Sequence, residues 1–255
     1  MKNSLARHEK VLRESIFFTK NKWPHFDLLF SDIKKLSKKY KYKKVLFLER
    51  TNLYGGISLF GPYFDDSEFF SIDCITSNIL KSGQYNKYLT LSDDLIKVKS
   101  VRTCHYEKIN LKKNSIDCII IPNLMHHISK PEILISQSKK ILKKNGELYI
   151  FEPLIRELHQ IPEDYGRFSP SRFKVLLEKN NFKNFKYNTI GGPFTCISYF
   201  WHQALQYLPN REREKYEKWF IKENLKLIKM DSKYTKNKIR KNSSSPMAFS
   251  ISANK

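Results

Sequence analysis

The sequence lacks the features that mark secreted, membrane-spanning and zinc-finger proteins. Its four cysteines, Cys74, Cys104, Cys118 and Cys196, are widely spaced and form no Cys-x-x-Cys pair, which argues against a disulfide framework or a metal site. No apolar run approaches the roughly 20 residues of a transmembrane helix. The first ten residues also lack the apolar segment of a secretory signal. These absences together predict a cytoplasmic protein without a bound metal.

Acidic residues and arginine are also scarce. The 255 residues contain 47 Lys plus Arg against 25 Asp plus Glu, a formal net charge of +22. Only 10 of the 47 are Arg, the planar bidentate donor that phosphate and base recognition favours. We therefore interpret the charge mainly as a compositional background. Two Lys-rich segments, residues 31–44 and 231–255, keep an anionic partner such as nucleic acid as the alternative.

The apolar content is sufficient for a folded core. Hydrophobic residues make up 40% of the chain and aromatic residues 14%, which excludes global disorder. Short apolar runs predict buried strands at residues 43–49, 68–74, 116–122 and 147–152, with a further strand within residues 96–104. Helical periodicity predicts helices at residues 131–144 and 169–180. Alternating strands and helices predict an α/β fold with a doubly wound sheet.

The end of the sheet is predicted to differ from its start. Residues 182–189 and 194–200 are expected to be strands, and the Gly191–Pro193 connection is too short for a parallel crossover, so this pair should be an antiparallel hairpin. The predicted organisation is a mostly parallel sheet of seven strands with four parts along the chain. They are an N-terminal helical extension (1–42), the α/β domain (43–200), a helix (201–230) and a basic flexible tail (231–255).

Residues 114–153 carry a resemblance to a known family. They read NSIDCIIIPNLMHHISKPEILISQSKKILKKNGELYIFEP, and the sharpest parts are Met125-His126-His127-Ile128 and Phe151-Glu152-Pro153. This stretch resembles the fourth to fifth strands of class I S-adenosylmethionine-dependent methyltransferases, which are Rossmann-like. It is most similar to their small-molecule and surface-glycan branch, of methyltransferase type 11. The resemblance spans about residues 43–200.

The resemblance implies methyl transfer from S-adenosylmethionine to a small molecule or glycan, such as a surface polysaccharide or its precursor. It implies cofactor contacts from Glu49, Gly55, Gly56, Asp73 and Asn123. Asp73 also fits on its own spacing, because a carboxylate that ends the second strand can accept the ribose hydroxyls. The alternative for Asp73 is a helix cap or turn residue.

The acceptor side is implied by the same resemblance. One of His126 and His127 would take the proton of the acceptor, although a histidine pair bonded to backbone is the competing interpretation. The substrate-binding candidates are Glu152, Arg156, His159 and Arg167. An exposed polar loop is the alternative for the last three.

Two of the family's cofactor-contacting motifs are changed in this sequence. Thr51 and Leu53 replace the early glycines after the first strand, so the glycine motif is degenerate, and His105 stands where the family has an adenine-side Asp. A non-catalytic methyltransferase-like module is therefore an alternative function. An RNA methyltransferase is a second alternative, although Pro122-Asn123-Leu124 is not the Asn/Asp-Pro-Pro-aromatic motif of base amino-group methylation.

Overall fold

The computed structural model describes residues 2–13, 24–50, 58–74, 96, 102–159, 161–235 and 245–255. The predicted cofactor residues Gly55 and Gly56, together with Thr51 and Leu53, lie outside these residues. No helix in the described part of the chain is long and apolar enough to cross a membrane.

One mixed sheet organises the described residues. Its seven strands are β1 (Lys44–Glu49), β2 (Glu68–Asp73), β3 (Arg102–Thr103), β4 (Ile116–Pro122), β5 (Leu142–Pro153), β6 (Lys183–Ile190) and β7 (Ala248–Asn254). Their order across the sheet is β3-β2-β1-β4-β5-β7-β6. The pairs from β3 to β5 are parallel, whereas β7 is antiparallel to both of its neighbours. The predicted α/β class and the parallel core are therefore observed.

Six α-helices accompany the sheet in the described residues. They are α1 (Lys2–Val11), α2 (Pro24–Lys39), α3 (Pro131–Ile141), α4 (Pro170–Lys179), α5 (Pro193–Leu205) and α6 (Asn210–Met230). Pro begins α3 and α4 at the first helical turn, where its missing N–H costs nothing. The side chain of Ser169 caps α4 by accepting the Arg172 N–H.

The central strands β1, β4 and β5 bury both faces over most of their length, as parallel strands covered by helices on each side require. Alternate residues of β4 show this: Ile119 and Ile121 join one hydrophobic cluster, and Cys118 and Ile120 join the other. The first cluster includes residues of α3 and α4, and the second includes the apolar side of α2. Cys118 is fully buried.

The predicted hairpin is wrong in its second strand. Residues 194–200 belong to helix α5, which begins at Pro193. Asp231 fixes this start, because its carboxylate accepts the backbone N–H groups of Phe194 (3.0 Å) and Thr195 (2.7 Å). Sequence patterning favours a strand here because the segment is rich in aromatic and β-branched residues. The cap comes from a residue 36 positions away in the sequence, and it stabilises the helix over the predicted strand.

The tail prediction is also wrong for its last residues. Ala248–Asn254 forms β7, which pairs with β5 on one side and β6 on the other. Phe249, Ile251 and Ala253 are all at most 1% exposed and join one core cluster. The sheet therefore does not end at residue 200, and the helix predicted over residues 201–230 is divided between α5 and α6 around Pro209.

Candidate active site

The carboxyl ends of the central strands meet at one edge of the sheet. Glu49 ends β1, Asp73 ends β2, and Asn123 directly follows β4. Glu152 lies one residue before the end of β5. The chain order reverses between β1 and β4, and ligands of open α/β sheets bind at such a switch point. The candidate site is therefore this edge.

The turn after β4 is built from residues 123–127. Asn123 adopts a left-handed backbone conformation, with φ of 57°, which Asn tolerates better than most residues. Its N–H donates to the carbonyl of Phe151 at 2.7 Å. The chain then enters a 3₁₀ turn, Met125–His127. This geometry leads the two histidines back across the end of β5.

Glu152 holds that turn in place. Its Oε1 accepts the N–H groups of Leu124 (2.8 Å) and Met125 (2.7 Å). Its Oε2 accepts the N–H of His126 at 3.3 Å and the ring Nδ1–H of His126 at 2.6 Å. Glu152 is only 2% exposed, so its four hydrogen bonds replace the solvation that burial removes. The carboxylate thus orders the turn, whereas the resemblance implies a substrate contact.

Three imidazoles come together behind this turn. His126, His127 and His159 have ring centroids 3.9 to 5.2 Å apart. The Nε2 atoms of His126 and His159 are separated by 3.3 Å. His126 and His127 are buried, and the side chain of His159 is 12% exposed. We call these three residues the histidine cluster.

The segment that carries His159 is fastened by an ion pair. Asp164 Oδ2 accepts the backbone N–H of His159 at 2.8 Å and a guanidinium N–H of Arg167 at 2.8 Å. Arg167 also donates to the carbonyl of Glu157 at 2.9 Å. The guanidinium is therefore engaged within its own segment, which places Arg167 as a loop anchor. Arg156 Nε lies 3.5 Å from Glu157 Oε1.

Burial keeps two rings of the cluster neutral. Desolvation, and next the positive charge of Arg156, lower the pKa of His159 to about 3. Desolvation, and next the charge of Arg50, hold the pKa of His127 far below its usual range. A neutral imidazole can accept a hydrogen bond or bind a cation through one nitrogen. A ring with so low a pKa is a weak proton acceptor, so these residues do not suit the role of a strong general base.

Glu49 is also satisfied from within the protein. It is 3% exposed, and its Oε1 accepts the hydroxyls of Ser58 (2.5 Å) and Ser71 (2.7 Å). Ser58 Oγ in turn accepts the N–H of Gly61 at 3.0 Å. Glu49 therefore braces the ends of β1 and β2 and the 3₁₀ turn Gly61–Phe64. Asp73 lies beside it in register across the β1–β2 pair.

A cleft opens next to the histidine cluster at the same edge. Its volume is about 330 Å³. It is bordered by residues from the end of β2, the segment after β3, the turn after β4 and the segment after β5. Its lining residues include Cys74, His105, Tyr106, His127, Ser129 and Tyr165. His127 thus joins the cleft to the histidine cluster.

The structure brings together some of the predicted site residues. His126, His127, Glu152 and His159 form one contiguous group. Sequence reasoning missed that His159 completes a three-histidine cluster. Its position, six residues after the end of β5, was the available signal. The lining role of Tyr106 had no recognisable sequence pattern.

Comparisons with known proteins agree with this architecture. Residues 71–150 match a family described as a methyltransferase domain. That segment runs from β2 into β5 and contains most of the cleft lining. The fold is that of a class I methyltransferase. Among curated proteins, no sequence matches this chain.

Solved structures show the same fold at low sequence identity. One is a chain of the complex between the Haloferax volcanii Trm112 methyltransferase activator and a methyltransferase, with a TM-score of 0.51 and 13% identity. That match covers 99% of this chain and 94% of the other. Another is Haemonchus contortus phosphoethanolamine N-methyltransferase 2 in complex with S-adenosyl-L-methionine, with a TM-score of 0.50 and 12% identity. It covers 97% of this chain and 60% of that chain.

The matched segment is that of a methyltransferase domain, and the fold of these solved structures agrees with it. The switch point lies between β1 and β4, where open α/β sheets bind their ligands. Neither the matched segment nor the fold shows which acceptor is methylated.

Proposed function

We propose that this protein transfers the methyl group of S-adenosylmethionine to a small molecule or a glycan. The observation that carries the proposal is the position of the cleft. It lies at the carboxyl edge of the sheet, and six of its eight lining residues fall within the segment that matches a methyltransferase domain. Its volume of about 330 Å³ lies within the ~300–1,000 Å³ of small-ligand sites.

The residues present fit the cofactor. Asp73 ends β2 beside the braced Glu49, the place from which a carboxylate can accept ribose hydroxyls. Tyr106 and Tyr165 line the cleft, and we propose that one of these aromatic rings contacts the flat adenine ring. The left-handed turn at Asn123 directs the backbone after β4 toward the same space. Asn123, Asp73 and Glu49 are therefore the described residues that we propose on the cofactor side.

The acceptor is proposed to lie near His127, which lines the cleft. S-adenosylmethionine supplies the electrophilic methyl group, and the protein aligns the acceptor with it. Alignment of two reactants can supply a large part of a rate enhancement. Because the pKa of His127 is held low, we propose that its neutral ring orients the acceptor through a hydrogen bond. Methyl acceptors of low pKa, or acceptors already deprotonated, suit such a site.

Calorimetric titration of the full chain with S-adenosylmethionine and S-adenosylhomocysteine tests the proposal. We expect binding to both, and we expect Asp73→Asn to weaken it at least about tenfold, equivalent to about 1.4 kcal/mol. Asp66→Asn is the matched control, because Asp66 is an exposed acid before the same strand, paired with Lys41. The control should bind as the unchanged protein does.

No binding at millimolar cofactor would contradict the proposal and favour a non-catalytic module. One observation already favours that second candidate: His105 lines the cleft where the family resemblance implies a carboxylate. If His105 disables the site, His105→Asp should create or tighten cofactor binding. An unchanged or weaker affinity in His105→Asp would remove the support for the non-catalytic candidate.

A further inference from the structure

The histidine cluster has a geometry that methyl transfer does not require. One ring nitrogen from each of His126, His127 and His159 lies within 4.8 Å of the other two. Two of the residues come from the turn after β4 and the third from the segment after β5. The residues that surround them, Glu152 and Asp164, are themselves fixed by several hydrogen bonds. Neighbouring residues that are themselves fixed therefore hold the three rings in place.

The hydrogen bonds decide which nitrogen each ring presents. His126 Nδ1 lies 2.6 Å from the Glu152 carboxylate, and His127 Nδ1 lies 2.5 Å from the carbonyl of Glu163. His159 Nδ1 lies 3.1 Å from the carbonyl of Glu157 and 3.2 Å from Asp164 Oδ2. These oxygens only accept, so Nδ1 of His126 and of His127 carries the hydrogen. His159 Nδ1 also lies 3.5 Å from the donor Arg167 Nη2, but its two oxygen neighbours are closer and favour the same tautomer. In the neutral ring, Nε2 is then left with its lone pair.

The shortest contact in the cluster is therefore between two acceptors. His126 Nε2 and His159 Nε2 are 3.3 Å apart, and in these tautomers neither has a hydrogen to donate. Reversing the tautomer of His159 would let its Nε2–H donate to His126 and its Nδ1 accept from Arg167 at 3.5 Å. It would also turn the Nδ1 lone pair toward the two oxygens that lie closer. A cation between the Nε2 atoms removes the conflict without such a cost.

The separation of the two nitrogens is that of a metal site. With Zn–N bonds of about 2.0–2.1 Å and tetrahedral angles, two ligand nitrogens lie about 3.3 Å apart. Metal-bound histidines typically donate their other ring N–H to a carboxylate or a backbone carbonyl. Glu152, Glu163 and Asp164 stand in that relation to the three rings.

We propose that His126, His127 and His159 bind one divalent transition-metal ion through their Nε2 atoms. Imidazole ligands select zinc and its neighbours, such as cobalt, nickel or copper, over magnesium and calcium, which prefer oxygen. Three protein ligands leave a fourth position open. His127 lines the cleft, so the proposed metal site borders the space that the acceptor is proposed to enter.

The metal proposal and the proposed function can fail separately. Metal binding is measured without S-adenosylmethionine or an acceptor, and cofactor binding is measured on the metal-free chain. With the ion bound, His127 Nε2 is a ligand, so an oxygen-bearing acceptor would be oriented at the open position instead of by the His127 hydrogen bond. The metal would make the proton of that acceptor more acidic. This role of the metal in activating the acceptor rests on the methyl-transfer proposal, whereas the metal site itself does not.

Binding is tested on the full chain without a histidine tag, after treatment with a chelator and dialysis. Calorimetric titration with zinc should give one site per chain. Cobalt should give the visible absorption of a tetrahedral nitrogen-ligated ion, and adding zinc should abolish it. Magnesium should produce neither heat nor colour. No saturable zinc binding at one equivalent would overturn the proposal.

Single substitutions assign the ligands. His159→Gln should weaken zinc affinity by more than the roughly 10- to 100-fold that loss of an outer hydrogen-bond partner costs. His202→Gln is the matched control, because His202 is a partly buried histidine on α5 outside the cluster. Equal zinc affinity in both variants would contradict the assignment. Far-UV circular dichroism of each variant shows whether it is folded.

A second measurement does not depend on any variant. X-ray absorption of the zinc-loaded chain should show a first shell of nitrogen and oxygen atoms with imidazole outer-shell scattering from three rings. A shell of oxygen atoms alone would show that zinc binds at surface carboxylates, and the proposal would be wrong.

Discussion

Two glutamates on strand β5 show how the two ends of the same sheet differ. Glu147, near the start of the parallel register, accepts hydrogen bonds from Lys39 Nζ (2.7 Å) and Tyr40 OH (2.6 Å). Glu152, at the carboxyl end, accepts three backbone N–H groups and an imidazole. Both are buried, but their partners belong to different classes.

The difference lies in what each carboxylate orders. Glu147 joins two side chains at the end of α2 to the sheet, so it contributes to the attachment of a helix. Glu152 fixes a turn whose backbone would otherwise have unpaired N–H groups, and through His126 it reaches the histidine cluster. Residue type alone does not separate these roles. The roles are separated by the end of the strand at which each glutamate lies, because ligand sites occur at the carboxyl ends of parallel strands.

The largest effect is expected from Glu152→Ala. It removes four acceptor contacts and leaves buried donors at Leu124, Met125 and His126 unsatisfied. We expect a loss of about 3 kcal/mol or more in the free energy of unfolding, measured by urea denaturation. Zinc and cofactor affinity should both fall. A loss no larger than that of Glu147→Ala would erase the distinction between the two ends.

A pH effect is expected at Asp164. Burial alone would raise the pKa of Asp164, but hydrogen bonds from Arg167 and the His159 N–H hold it at about 2, below the usual 3.8. A depressed pKa stabilises the fold above pH 4, and this stabilisation is lost as pH falls toward 2. The shift corresponds to about 2 kcal/mol.

Asp164→Asn should remove this part of the acid sensitivity. The experiment compares urea denaturation of both proteins at pH 5 and pH 3. The difference in their free energies of unfolding should shrink at pH 3. A constant difference would show that Asp164 does not carry the pH dependence.

A smaller effect is expected from Glu147→Gln. The amide oxygen can still accept the hydrogen bond of Tyr40, while the charge that Lys39 pairs with is lost. We expect a destabilisation of about 1 kcal/mol with no change in zinc or cofactor affinity. A marked loss of either affinity would show that the two ends of β5 are coupled.

The smallest effect is expected from Lys39→Met. The Lys39 side chain is 57% exposed, and exposed ion pairs contribute about 0–1 kcal/mol. We expect a loss of at most about 0.5 kcal/mol that disappears in 1 M salt, where the screening length is about 3 Å. A loss that persists in salt would indicate that the apolar part of Lys39 contributes instead.

The parallel core could be predicted from the sequence because its signals are local. Strand β4 was predicted over residues 116–122 and is observed as Ile116–Pro122. Helix α3 begins at Pro131 as predicted and ends three residues early, at Ile141. The end of the sheet could not be predicted in this way. The strand tendency of residues 194–200 is overridden by a cap from Asp231, and β7 follows a Ser-Pro segment that resembles a mobile tail.

The site could be predicted only in part. The resemblance identifies His126, His127 and Glu152 as residues of one region, which the structure confirms as neighbours. It does not reveal that Glu152 and Arg167 are engaged by their own surroundings. Such roles depend on contacts between segments that are distant in sequence, and no local pattern records them. Whether these residues act in catalysis stays a prediction.

The position of β7 has a consequence for synthesis on the ribosome. β7 lies between β5 and β6, and Glu147 pairs with Asn254, 107 residues later. Until Ala248–Asn254 has emerged, the outer edge of β5 is unpaired and β6 has no neighbouring strand. Unpaired edges are where nascent chains associate wrongly. β7 is the last of the seven described strands to become available during synthesis, and until then the edges of β5 and β6 are open to such association.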